Sequence, residues 1–382
     1  MSARPRLSIK AALICLALAS VGVAPMATAQ TVATRQYEDG SVYEGSFLNG
    51  RQHGQGAYRL PNGYEYIGEW FEGEIRGQGT ARYPNGSIYT GAFALGKPEG
   101  VGVITFADGG TYEGDWTDGE ITGIGVALYA NGVRYEGEFR SAVHHGTGTM
   151  TAPDGYTYTG PWVNGVKEGE GRSIFVDGSV YEGALVAGQR SGIGTLTTPA
   201  GLTYTGDWLA DQIEGRGRLV QPNGDVYEGD LVAGRRQGAG TITFASGDSY
   251  TGGFQDDLRH GQGTLTGPYG SRYVGAWVAG QIEGQGQVTY PDGSIYVGNL
   301  LGYLADGTGK ITNPDGSVYE GSWVVGEMTG QGVATYTSGD VYEGQFVNGR
   351  RQGYGTMRYA SGQTVSGDWQ DDALAMETGP AE

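Results

Sequence analysis

Cysteine is all but missing from this chain of 382 residues; the one copy is Cys15. After residue 29 there is none, so disulfides cannot hold the rest together and cohesion must come from packing. Histidine is nearly as scarce. There are four: His53, His144, His145 and His260. Three of them share one slot of a repeat at distant points, which argues against a clustered metal or acid–base centre. Basic residues are outnumbered, with 24 Lys and Arg against 42 Asp and Glu and a net charge of −18. Such a surface repels phosphate backbones and anionic lipid. No nucleic acid partner is expected, and membrane contact is disfavoured. The short basic pairs Arg235-Arg236 and Arg350-Arg351 read as solvated hairpin tips. Long hydrophobic runs are also lacking. The longest covers residues 11–23, short of the ~20 residues that span a bilayer.

That run belongs to a distinct start. Arg4, Arg6 and Lys10 precede it, and Ala27-Thr28-Ala29 follows as an A-x-A site. This is the layout of a cleavable secretory signal over residues 1–29, and it predicts a periplasmic or secreted protein of a Gram-negative bacterium. Removing the three basic residues leaves 21 basic against 42 acidic, a net of −21.

Glycine and tyrosine are what the chain has in excess, with 74 and 26 copies. Ordinary chains carry ~7% glycine. No Gly-X-Y period is present, so collagen is excluded, and so many aromatics argue against disorder. The tyrosines instead mark a repeat. Fourteen of them stand at 43, 66, 89, 112 and onward to 342, always 23 residues apart, and Val365 fills a fifteenth slot. With tyrosine as position one, glycine holds positions three, twelve, fourteen and twenty-one throughout. No insertion breaks the register. A lead-in covers residues 30–42, the array residues 43–369, and an acidic tail residues 370–382.

Each repeat reads as two short strands. Residues 41–47 alternate and are rich in β-formers, Asn49-Gly50 is a turn signal, residues 55–60 form a second strand, and Pro61-Asn62-Gly63 turns back. Asn-Gly and Asp-Gly pairs recur as turn chemistry; their spacing does not supply the oxygen set that calcium needs. Alternation places tyrosine, glycine and a Trp, Phe or Leu at positions one, three and five on one face. Glycine, an apolar residue and often an aromatic one, as at Tyr83, Phe106, Tyr129, Phe175, Phe244 and Tyr290, follow there at fourteen, sixteen and eighteen. The other face is polar. The expected fold is all-β: an elongated single-layer antiparallel sheet of about fourteen stacked hairpins, roughly 10 Å per hairpin.

A second period lies above the first. All seven tryptophans occupy position five, at Trp70, Trp116, Trp162, Trp208, Trp277, Trp323 and Trp369. Their spacing is 46 residues, except for 69 between Trp208 and Trp277. A large ring beside a smaller one along a row is the packing reading. A ligand platform is the other, with candidate residues the seven tryptophans plus Tyr89, Tyr135 and Tyr181.

Tyr43-Glu44-Gly45-Ser46-Phe47, then Gly50 and His53-Gly54-Gln55-Gly56, resembles the MORN repeat. So does Tyr112-Glu113-Gly114-Asp115-Trp116 with Gly119, Gly123 and Gly125. The resemblance runs over residues 43–369. It departs at position eight, where Ala142, Asp211, Asp257 and Tyr303 replace glycine. The resemblance implies twisted sheets of stacked hairpins that act as scaffolds, spacers or protein-binding modules, and repeats that are not catalytic.

The residues point the same way. Every connection is short, whereas active sites gather on long or irregular loops. The glutamates at position two (Glu44, Glu113, Glu136) form a spaced row on the polar face. That suits solubility and not the close carboxylate pair of a glycosidase. No enzyme and no cofactor is expected. The principal expectation is a structural scaffold of the cell envelope that binds a protein partner or itself through the aromatic face and the sheet edges. The alternative is a carbohydrate-binding face that stacks cell-wall or exopolysaccharide sugars on the ring rows. Lipid contact is a weaker third.

Overall fold

In a computed structural model, residues 31–375 are described and every regular element is a β-strand. The signal-like segment 1–29 and the tail from residue 376 lie outside the described residues. The chain divides into two compact segments, residues up to 107 and residues from 108 onward. Each is an open antiparallel sheet of successive hairpins in which strands pair with their neighbours along the chain; Val166–Lys167 and Gly169–Ile174 share one partner, Thr157–Val163. In the first segment the lead-in supplies the strand Thr31–Gln36. The first repeat supplies Val42–Leu48 and Arg51–Arg59, and the second supplies Glu65–Phe71 and Glu74–Arg82. The second segment repeats this from Thr111–Thr117 to Ala373–Leu374.

The second strand of each repeat is longer than its sequence pattern suggests. It covers Arg51–Arg59 and not only residues 55–60. The reason is a β-bulge. The register runs Gly45 to Gly56, then slips so that Phe47 faces Gln52. Gly54 sits at the bulge with φ +81°, a left-handed conformation open to glycine. The bulge frees a backbone amide, and a carboxylate at position four takes it. Asp207 Oδ2 accepts from Arg216 N at 2.8 Å, and Asp115 Oδ2 from Ile124 N at 2.8 Å. These acids are part of the backbone accounting.

The tips are two-residue turns. At Asn49 and Gly50 both φ values are positive, 52° and 78°, the sign pattern of a type I′ turn, which matches strand twist. The unusual tips keep the same form. Ser141 and Ala142, Ala210 and Asp211, and Asp256 and Asp257 all have positive φ. At Gly302-Tyr303 only the glycine does, at 63°. That is the type II′ pattern, so glycine moves one place and frees position eight for Tyr303.

The core lies on one face. Position-one tyrosines are 0–4% exposed. Each ring lies across the glycine pair at positions three and fourteen; a Cβ on Gly56 would stand 2.3 Å from the Tyr43 hydroxyl. The hydroxyl reaches past them and donates to the Ser46 carbonyl at 2.9 Å. A single layer can therefore bury a tyrosine against its own backbone. The rings then chain together edge to face. Tyr43 meets Phe47 at 5.0 Å and Trp70 at 5.1 Å, and Tyr66 meets Trp70 at 5.7 Å and Phe93 at 5.0 Å. Such pairs contribute about 0.5–1.5 kcal/mol each beyond area burial, which offsets the flexibility cost of the glycines.

Candidate interaction face

The ten rings singled out in the sequence belong to that core. The seven tryptophans keep 1–7% of their surface, and Tyr89, Tyr135 and Tyr181 keep none. Trp162 touches Tyr135 at 5.5 Å and Tyr158 at 5.2 Å. At Trp70, Trp162, Trp208, Trp323 and Trp369 the indole N–H is also committed. It donates to the glycine carbonyl fourteen residues earlier, as from Trp70 to Gly56 at 3.3 Å and from Trp208 to Gly194 at 3.2 Å. A sugar ring stacks on an open aromatic face, and these rings offer none.

Position ten explains the 46-residue period. It lies opposite position five of its own hairpin and beside position five of the next. In repeats without tryptophan at five it is often a long polar side chain that crosses the inner face. The Arg190 guanidinium stacks over Trp208 of the next repeat at 4.2 Å and lies 5.9 Å from Phe175 of the previous one. Arg351 does the same between Trp369 (4.5 Å) and Tyr336 (5.8 Å). His144 lies flat on Tyr135 at 3.7 Å, meets Trp162 at 5.0 Å, and shares a 2.6 Å hydrogen bond with the Tyr129 hydroxyl. Burial lowers the His144 pKa, so it is neutral at pH 7. Gln52 Nε2 donates to the Tyr37 hydroxyl at 2.7 Å.

Along the inner face the rings at position eighteen stay partly open; Phe71, Tyr269, Tyr303 and Tyr354 are exposed at other positions. Tyr129 is 40% exposed, Phe106 38% and Tyr359 37%. Tyr83, Phe175, Phe244, Tyr290 and Tyr336 are less exposed but not buried. Alternation had placed these rings on the inner face. Their accessibility was not legible, because it depends on what the neighbouring repeats lay over them. Beside Phe175 and Tyr336 stand Arg190 and Arg351, each paired with a position-eight aspartate, Asp211 and Asp372. The inner face thus carries half-covered aromatics, two of them flanked by paired charges.

The opposite face is polar and ordered. Thr149 bonds Thr159 at 3.0 Å, and Thr195 bonds Thr205 at 3.0 Å. Arg172–Glu182 at 2.8 Å stands between these pairs, and Arg218–Glu228 at 2.9 Å follows the second. All are exposed, and each such pair adds at most ~1 kcal/mol. The position-two glutamates Glu182 and Glu228 are partners in these pairs and do not form a catalytic couple. Among the described residues no group of three His, Cys, Asp or Glu is placed to hold a metal ion, and no helix is long and apolar enough to cross a membrane.

Comparison with known proteins gives three findings. The family model described as MORN repeat matches thirteen stretches between residues 43 and 364, skipping residues 296–318. The curated protein Alsin from Rattus norvegicus is 44% identical over 50 residues, which is 12% of this chain and 3% of Alsin. This chain therefore spans only a small part of that relative's length. Among solved structures, the TCP10 domain of Danio rerio CPAP is 15% identical at a TM-score of 0.24, over 58% of this chain and 98% of that one. The SAS-4 TCP domain of Drosophila melanogaster, solved with a proline-rich motif of Ana2, is 16% identical at 0.24, over 49% and 94%. Scores of this size carry no argument.

Proposed function

Since this chain belongs to the MORN-repeat family, we propose that it is a non-catalytic scaffold of the cell envelope that holds a protein partner, or a second copy of itself, along its inner strip. The observation that carries this reading is the set of partly exposed rings at position eighteen, repeated in fixed register, with Arg190 and Arg351 held beside two of them. Aromatic side chains with little freedom left to lose make strong anchors for a partner. The tryptophan row supports the strip from beneath.

The test is photocrosslinking in the cells that make the protein, with a benzophenone side chain at position 129 or 359 and a control at Thr205 on the polar face. Adducts from the strip and none from Thr205 support the reading. Twice the chain mass then means self-association, and any other mass means a foreign protein. No adduct from either strip site, with the protein folded and present, sinks it. Export is tested separately. The mature protein should begin at Gln30, and a chain that keeps residues 1–29 in the cytoplasm would remove the envelope from the proposal.

A further inference from the structure

The repeats depart from their own pattern at one place, and several departures meet there. A cavity of about 230 Å³, room for roughly eight waters, opens on the inner face of the second segment. Leu265, Ile282, Val288 and Leu300 line it with the rings of Tyr273 and Tyr290; Asp248, Ser271, Arg272 and Tyr303 stand around it. It falls at the 69-residue interval between Trp208 and Trp277, where the two-repeat alternation slips by one.

Three substitutions set this place apart, and the first of them makes the space. Gly267 holds position eighteen, where Phe175, Phe244 and Tyr290 place rings. Its φ is not among the positive values, so the backbone does not require glycine there. Pro268 follows and has no N–H. In two other repeats the aspartate at position twenty-two accepts the amide twenty residues on, Asp225 from Ala245 at 2.9 Å and Asp340 from Ala360 at 2.8 Å. For Asp248 that residue is Pro268. Asp248 keeps only the Ser246 hydroxyl, at 2.6 Å to Oδ2, and Oδ1 is left open. The third is Tyr303, a ring at a tip position that is usually glycine, in the repeat that the family matches skip. A Cβ built on Gly267 would meet the Ser271 hydroxyl at 2.3 Å and Asp248 Oδ1 at 3.4 Å. Both polar groups therefore face the vacated slot. Beside it, across the hairpin from Ile282, Trp277 is 1% exposed and its N–H has no acceptor, unlike the indoles of Trp70 and Trp208.

We propose that this cavity binds a small amphipathic cation: one aromatic ring carrying a primary amine. The apolar walls take the ring, and the open oxygen of Asp248 takes the ammonium. A chain of net charge −18 favours a cation over an anion of the same shape. Arg272 is exposed on the rim, and among the described residues it forms no ion pair with Asp248. A carboxylate at such a mouth, beside apolar walls, selects charge more strongly than one on open surface.

The test is titration calorimetry of the exported chain with phenethylamine, benzyl alcohol and 3-phenylpropionate. The amine should bind saturably, and the acid at least about tenfold more weakly. Gly267→Phe restores the ring that Phe175 provides beside Ser179, and should abolish amine binding. Asp248→Asn should weaken the amine about tenfold, roughly one charge-assisted hydrogen bond, and leave the alcohol unchanged. Should Gly267→Phe fail to fold, Asp248→Asn still decides. The proposal is overturned if no ligand binds the wild-type chain, if the acid binds as well as the amine, if Gly267→Phe folds and binds the amine as before, or if Asp248→Asn leaves the amine's affinity unchanged.

Discussion

Arg190 closes on Asp211, twenty-one residues ahead in the next repeat. Its Nε lies 2.9 Å from Asp211 Oδ1, its terminal nitrogen donates to the Asp211 carbonyl at 2.9 Å, and its backbone amide donates to the same carboxylate at 3.1 Å. Arg236 with Asp257 and Arg351 with Asp372 repeat this clasp. Two of the tip residues that depart from glycine, Asp211 and Asp257, are thus the acidic halves of an inter-repeat lock whose basic halves also cover rings.

Asp211→Ala should loosen the joint between two repeats by about 1–2 kcal/mol, the loss of charge-assisted bonds at a half-exposed site. The local opening energy from hydrogen exchange around Arg190 reads this directly. Arg190→Lys should cost a similar amount, because lysine keeps the charge but neither the fork nor the flat stack on Trp208. An unchanged exchange rate in both variants would show that the clasp is ornamental.

The clasp also sets a pH dependence at the acid end. Burial alone would raise the Asp211 carboxyl; the Arg190 amide, hydrogen bond and charge outweigh it and hold the group below the usual carboxylate range. A depressed folded pKa contributes stability that is present above the unfolded value of ~3.9 and lost as pH falls through the folded one. Asp211→Asn should therefore lower stability at neutral pH, where the ionised carboxylate contributes, and flatten the fall in stability below about pH 4.

The alkaline end belongs to the tyrosines. Burial pushes Tyr43, Tyr89, Tyr135, Tyr204 and others like them up to about 12. A raised folded pKa contributes stability that is complete below the unfolded value of ~10 and lost as pH rises through the folded one. The array should stay folded past pH 10, and tyrosinate absorbance should then rise together with the loss of β-sheet circular dichroism. Tyrosines that ionise near 10 while the sheet persists would contradict the packing of rings over glycine.

That packing has its own test. Gly148→Ala would place a methyl carbon 2.2 Å from the Tyr135 hydroxyl. The ring cannot give way without losing its bond to the Glu138 carbonyl. The expected cost is about 2–3 kcal/mol, the range of core overpacking, read as local unfolding of that hairpin. Tyr135→Phe keeps the ring and should cost only about 1 kcal/mol.

The fold was largely legible because its rules are local. The alternation of Val42-Tyr43-Glu44-Gly45-Ser46-Phe47 assigns a face without knowledge of the partner strand, and Asn49-Gly50 selects a turn whatever surrounds it. The second strand was misjudged by four residues at its start. A bulge glycine such as Gly54 looks like any other glycine until its pairing register is known. The half-open ring strip was not legible at all, since Tyr129 and Tyr135 are alike as sequence and differ only in what covers them.

What the sequence by itself determined is the period, the two faces, the turn chemistry and the placing of every position-five side chain on the inner face of its hairpin, because these follow from short-range sterics and side-chain alternation. What only the tertiary structure decided is which rings reach solvent, how Arg190 finds Asp211, and why Gly267 and Pro268 leave a cavity beside Asp248. Those outcomes depend on what a neighbouring repeat lays over a residue some twenty positions away, and burial is a property of that meeting and not of either residue alone.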